Sequence, residues 1–153
     1  MWLGLRSISS LTREGTWQLR VDLLDFQGGR YTALYNNFRL EEEAPYRIHI
    51  SGFDAQQSNV QDRLSYTNGA AFSTRDKDND ISNANCASIY LGAWWYTKCH
   101  SSNLNGYNYN KGDLPETSEF YAKGIIWKNE ANKPDQDYYF SWPAVEMKIR
   151  RTF

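Results

Sequence analysis

Between Trp17 and Leu23 apolar side chains fall on every second residue: Trp17, Leu19, Val21 and Leu23 alternate with Gln18, Arg20 and Asp22. A two-residue period sends one set of side chains to each face of a pleated strand, so this segment is expected to be a half-buried β-strand. Asp25-Phe26-Gln27-Gly28-Gly29 then supplies turn chemistry, and residues 31–35 and 46–50 are again alternating runs of aromatic and branched residues. Together they predict an antiparallel meander. Near the end Val145, Met147 and Ile149 alternate with Glu146, Lys148 and Arg150, which reads as a closing strand returning to the same sheet. Ahead of the meander, Leu5, Ile8 and Leu11 recur at helical spacing before Gly15, predicting a short helix over residues 2–12 packed on the sheet.

From about residue 52 to 139 the periodicity disappears, and the chain is dense in Asn, Asp, Ser, Gly and Tyr. So long an irregular stretch needs something beyond a large core to fix it, and a metal ion and a disulfide are the two obvious devices. The expected architecture is α+β: a central twisted antiparallel sheet with short helices, built from residues 1–51 and 140–153, and a loop-rich region over 52–139 that holds candidates for both devices.

At 153 residues one domain is expected. Seventeen basic and eighteen acidic residues leave a formal net charge of -1, giving no broad electrostatic reason to bind nucleic acid or an anionic membrane. The longest apolar runs, such as residues 21–24 and 138–142, are too short to cross a bilayer. The apolar start is broken at Arg6, so no leader peptide is expected there. The two cysteines, Cys86 and Cys99, would pair in an oxidising compartment.

Asp76-Lys77-Asp78-Asn79-Asp80-Ile81-Ser82 sets three carboxylates at alternate positions of a turn-prone stretch, where hard oxygens can converge on a hard cation such as calcium. The helix-loop-helix calcium loop needs Gly at its sixth position and Glu at its twelfth, where this chain has Ile81 and Ala87. That motif is absent. A solvated surface loop and a differently built cation site both remain compatible with the run.

The text that follows is more specific: Asn85-Cys86, Trp94-Trp95, Cys99-His100 and Asn103-Leu104-Asn105-Gly106, preceded by Asp78-Asn79-Asp80. This series resembles the C-terminal half of the fibrinogen-related domain of fibrinogens, ficolins, tachylectins, angiopoietins and tenascins. The likeness extends through Trp2-Leu3-Gly4, Leu19-Arg20-Val21-Asp22-Leu23, Ala33-Leu34-Tyr35, Tyr46-Arg47-Ile48-His49, Gly124-Ile125-Ile126-Trp127 and Glu146-Met147-Lys148-Ile149-Arg150. Residues 1–153 are accordingly expected to be one fibrinogen-like domain lacking the family's N-terminal subdomain.

The resemblance implies a set of roles. Calcium would be held by the side chains of Asp78 and Asp80 and the main-chain carbonyls of Ser82 and Ala84, with waters completing the shell. Cys86 would pair with Cys99, stabilising the fold by roughly 3 kcal/mol through loop closure, and the Lys98–Cys99 peptide would be cis. Tyr90, His100, Tyr121 and Ala122 match the acetyl pocket of the lectin-like members, with Tyr138 as a further wall and the register of 128–139 ambiguous. Aromatic walls and an Ala floor accept a methyl group, while His, a Tyr hydroxyl or a main-chain N–H can meet the acetyl oxygen. Fibrinogen's own holes carry Gln and Asp at the positions of Ile89 and Tyr90 and Asp at that of Ala122, so capture of a cationic peptide end is disfavoured here.

The expected partners are acetylated sugars of the N-acetylglucosamine or N-acetylgalactosamine type, or glycoproteins carrying them. The setting is extracellular, with oligomerisation through segments outside this chain. The runner-up is a protein-interaction or assembly domain with a vestigial pocket. Catalysis is not expected: a nucleophilic Cys99 beside His100 would lose its thiolate to the disulfide, and no acid/base carboxylate pair is recognisable. With only two histidines a histidine zinc site is disfavoured. Trp94 and Trp95 read as core, and Tyr107, Tyr109 and Glu41-Glu42-Glu43 as solvated loop or turn.

Overall fold

A computed structural model of the chain describes residues 2–128 and 136–152. Strands β1 (Thr16–Leu24), β2 (Arg30–Leu40), β3 (Ile48–Phe53) and β6 (Ala144–Thr152) form one antiparallel sheet in the order β3-β2-β1-β6. A second, two-stranded sheet joins β4 (Ser102–Asn103) to β5 (Ile126–Trp127). Helix α1 (Leu5–Thr12) lies ahead of the sheet and α2 (Cys86–Ile89) within the loop-rich region.

The alternation in β1 does what its period requires. Leu19, Val21 and Leu23 are almost fully buried and meet Ala33 and Tyr35 of β2 and Phe38, Leu40, Ile48 and Ile50 farther along β2 and β3. Burying one such side chain stabilises the fold by about 1.5–3 kcal/mol, so this inner face carries much of the stability of the sheet. On the other face Asp22 is also buried, and Lys148, Arg20 and Thr32 all donate to its carboxylate. Burial raises the Asp22 pKa, but those three donors outweigh it and hold the carboxyl below its ordinary value.

Several boundaries differ from the sequence expectation. Helix α1 starts at Leu5 rather than residue 2, because Gly4 is extended (φ -64°, ψ 149°). Its buried face carries Ser9 and Thr12 while Leu11 is exposed. Thr12 Oγ1 donates to the Ile8 carbonyl and accepts from Leu40 N–H, so a polar side chain seals the helix against β2. Strand β2 continues five residues past Tyr35, and β3 begins at Ile48 because the chain turns first: Ala44–Pro45 is cis and Tyr46 has φ 47°.

Strand β3 covers only the second half of the β2 edge. The first half is closed by the loop after β3: Ser58 Oγ and Asn59 Oδ1 accept from Leu34 and Thr32 N–H, and Asp54 and Asn59 N–H donate back to the Leu34 and Thr32 carbonyls. The sheet therefore runs through Phe53, two residues beyond the expected boundary at 51.

The loop-rich region has a core of its own. Trp94, Trp95, Tyr96, Leu104 and Trp127 are buried in the same cluster as the sheet residues. Trp95 Nε1 donates to the Tyr46 carbonyl, and Ser73 and Trp94 bond through their main chains in both directions. Both tryptophans are packing residues, as expected. No helix among the described residues is long and apolar enough to cross a membrane.

Candidate functional site

The disulfide Cys86–Cys99 joins the first residue of α2 to the turn before β4 (Cα–Cα 5.6 Å), and Lys98–Cys99 is a cis peptide. Asn85 caps α2 by accepting from Ser88 N–H at 2.8 Å, and its own amide donates to the Arg75 carbonyl. Tyr90 ends the four-residue helix, its N–H donating to the Cys86 carbonyl at 2.9 Å.

His100 follows the disulfide directly and is placed by the β4–β5 ladder. Ser102 faces Trp127, Asn103 faces Ile126, and Lys128 N–H donates to the Ser101 carbonyl, so the His100 end of β4 lies beside Lys128, where the chain leaves β5. The Asn103-Leu104-Asn105-Gly106 run locks this arrangement. Asn103 Nδ2 donates to the Tyr90 carbonyl, Asn103 Oδ1 accepts from Tyr96 Oη, and Asn105 Nδ2 donates to the Ala93 carbonyl. Gly106 sits against the Gly124 carbonyl, leaving no room for a Cβ.

These contacts bring the five expected pocket residues together. Tyr90 stands edge-on to His100, with ring centroids 4.8 Å apart and planes at 87°, and Tyr138 lies 6.1 Å from His100 on centroids. Tyr138 Oη donates to the His100 carbonyl at 3.2 Å, and Tyr121 packs on Tyr138 at 5.1 Å. Ala122, buried and in the left-handed region (φ 58°), donates its N–H to the Tyr138 carbonyl and accepts from His100 Nε2 at 3.0 Å.

A carbonyl can only accept, so His100 carries its proton on Nε2 and presents a bare Nδ1, which is buried without a hydrogen-bond partner among the described residues. Burial lowers the His100 pKa to about 4, against the opposing pull of the Ala122 carbonyl, so the ring is neutral at physiological pH. Tyr138 is pushed up to about 12, chiefly by burial, and stays protonated as a donor.

Two further residues belong to this cluster. Tyr96 lies 5.9 Å from His100 on ring centroids and is tied to Asn103, while Tyr66 Oη accepts from Ser101 N–H at 2.7 Å across 35 residues of sequence. Tyr96 directly follows Trp94-Trp95 and could have been drawn from that motif. No spacing or periodicity marks Tyr66. Segment 129–135, within the stretch of ambiguous register, lies outside the described residues.

The Asp76–Asp80 loop connects to the pocket through one residue. Asp80 accepts from Ser82 N–H with Oδ1 and from Cys86 N–H with Oδ2, while Asp78 Oδ1 accepts from Asp80 N–H. Burial raises the Asp80 pKa, and the nearby Asp78 carboxylate adds to the rise. Two carboxylates held near one another in this way suit a cation. Among the described residues no three His, Cys, Asp or Glu side chains converge to hold a metal, and the expected calcium set has only Asp78 and Asp80 as side-chain ligands. The Ser82 and Ala84 carbonyls expected to complete it lie in the same turn.

Against known proteins, residues 1–152 match the family described as the C-terminal globular domain of fibrinogen beta and gamma chains. The chain belongs to this family. It is 42% identical over 154 residues to Ryncolin-4 of Cerberus rynchops, a match covering 97% of this chain and 40% of that protein. Among solved structures it superposes on the fibrinogen-like globe domains of human ANGPTL6 (TM-score 0.86, 33% identity, 99% of this chain and 64% of that one) and human ANGPTL2 (0.85, 34%, 98% and 65%). Lamprey fibrin D-dimer, solved with the peptide Gly-His-Arg-Pro-amide, aligns at TM-score 0.81 and 28% identity, covering 97% of this chain and 49% of that one. The chain thus spans about two fifths of the curated relative and under two thirds of these solved chains.

Proposed function

We propose that this domain is a calcium-dependent, extracellular, non-enzymatic recognition module that binds acetyl groups on carbohydrates, with N-acetylglucosamine or N-acetylgalactosamine as the simplest ligands. The observation that carries the reading is the cluster of Tyr90, His100, Tyr121 and Tyr138 around the buried Ala122. Aromatic walls and a methyl-sized floor suit an acetyl methyl. His100 Nε2–H is already given to the Ala122 carbonyl, which leaves the acetyl oxygen to a tyrosine hydroxyl or a main-chain N–H.

In this reading Asp78, Asp80 and the Ser82 and Ala84 carbonyls hold calcium, which orders the loop and does not touch the sugar. The link is Asp80 to Cys86 N–H, then the disulfide, then His100. A charged peptide end is a poor fit, since Ile89, Tyr90 and Ala122 offer no carboxylate to an ammonium group.

The likeness to globes of other proteins, one of them solved with a bound peptide, supports a second reading as a protein-interaction domain with a vestigial pocket. Retention on an N-acetylglucosamine resin separates the two. The first reading expects retention in calcium and release by a chelator or by free acetate. Passage straight through by calcium-loaded, folded protein selects the second.

A further inference from the structure

Tyr66 stands on a single turn of 3-10 helix, Ser65–Thr67, whose other residues do the packing. Leu64 and Thr67 are fully buried, and Thr67 Oγ1 donates to the Leu64 carbonyl at 2.6 Å. The turn is tied to the large sheet on both flanks. Asp62 Oδ1 accepts from Leu64 and Ser65 N–H and from Tyr35 Oη of β2, while Asn68 Oδ1 accepts from Ile50 N–H of β3. It is tied to the small sheet as well, since Ser102 Oγ of β4 donates to the Arg63 carbonyl at 2.7 Å. The core makes little use of the Tyr66 ring itself, which is 42% exposed.

What that ring reaches is the peptide unit joining His100 to Ser101. The N–H of this unit donates to Tyr66 Oη at 2.7 Å, and its carbonyl, that of His100, accepts from Tyr138 Oη at 3.2 Å. The unit is trans, so its C=O and N–H point in opposite directions, and the two hydroxyls grip one rigid plane from its two sides. A third bond, from His100 Nε2–H to the Ala122 carbonyl, holds the ring. Residues 66, 122 and 138, far apart in sequence, thus converge on one histidine and the peptide that follows it.

We propose that Tyr66 is a positioning residue for the candidate pocket: with Tyr138 it clamps the His100–Ser101 peptide and so holds His100 where an acetyl group meets it. The inference rests on the sugar-binding reading. Tyr66 acts through His100 and need not touch the sugar. With one hydroxyl removed the plane is free to rock about the bond that remains, so removing the other costs less than it would alone. Two groups that act on one rigid unit are coupled in this way, whereas independent groups have additive effects.

The test is calorimetric titration of N-acetylglucosamine into calcium-loaded wild type, Tyr66→Phe, Tyr138→Phe and the double variant, each shown to be folded by its melting curve. Phenylalanine keeps each ring and removes only the hydroxyl. Tyr66→Phe should raise Kd about ten-fold, the size expected for one hydrogen bond, and the double variant should fall short of the product of the two single effects. Exchange of the His100 Nε2–H with solvent, followed by NMR, should also quicken in Tyr66→Phe, which the loss of a bond confined to Ser101 would not cause. Unchanged affinity in folded Tyr66→Phe, single effects that multiply in full, or an affinity loss with His100 exchange unmoved would overturn the clamp and leave the sugar reading standing. Folded wild type that binds no N-acetylglucosamine would remove the sugar reading and the proposal with it.

Discussion

His100 is held in one tautomer by one main-chain acceptor, and this has a measurable consequence. Burial takes its pKa from the ordinary 6.5 to about 4, so the neutral ring favours the folded state fully above pH 6.5. That contribution is lost as pH falls from 6.5 through about 4, where folding must hold the ring neutral while the unfolded chain takes up a proton. Melting temperature should therefore fall more steeply over this interval in the wild type than in His100→Gln, and parallel curves would show that the ring does not titrate in this way. Between pH 6.5 and 8 sugar affinity should be flat with respect to this residue. That Tyr90, His100, Tyr121 and Ala122 lie together was legible because each sits in or near a motif with fixed neighbours, whereas Tyr138 lies in the 128–139 stretch whose register the sequence leaves ambiguous. Tyr66 was not, because its contact with Ser101 joins residues 35 apart through a single hydroxyl that leaves no periodic trace.

Among the elements, the four sheet strands were legible from alternation, since a strand with one wet and one dry face must alternate. Their ends were not. Thr12, a polar residue at a helix end, seals α1 against Leu40 through its hydroxyl, and polarity alone would have put it on the surface. The turn before β3 places Tyr46 at a positive φ, which is not written in a hydrophobic pattern. The short helix α2 is fixed from outside, by the Asn85 cap, the disulfide and the Asp80 carboxylate accepting from Cys86 N–H. Calcium bound to the folded state alone should stabilise it by about 2.7 kcal/mol at a hundred times its dissociation constant. Calorimetric scans should show a rise in melting temperature on adding calcium to the wild type and none in Asp80→Asn. An equal rise in both would remove Asp80 from the ligand set.

For the whole molecule, the sheet and the loop-rich region share one core through Trp94, Trp95 and Trp127, so the candidate pocket rests on the same packing that holds the strands. The overall architecture was readable because the alternating strands and the Cys, Trp and Asn motifs lie in separate stretches of the chain. How the sheet edges are finished was not, because closure of the β2 edge relies on isolated Ser58 and Asn59 side chains. The central claim joins the metal loop to the pocket, and calorimetric titration of N-acetylglucosamine and of glucosamine, with calcium and after chelation, tests both at once. The account predicts heat of binding only for the acetylated sugar and only with calcium present. Equal binding of the two sugars, or binding undiminished by chelation in protein shown to be folded, would contradict it.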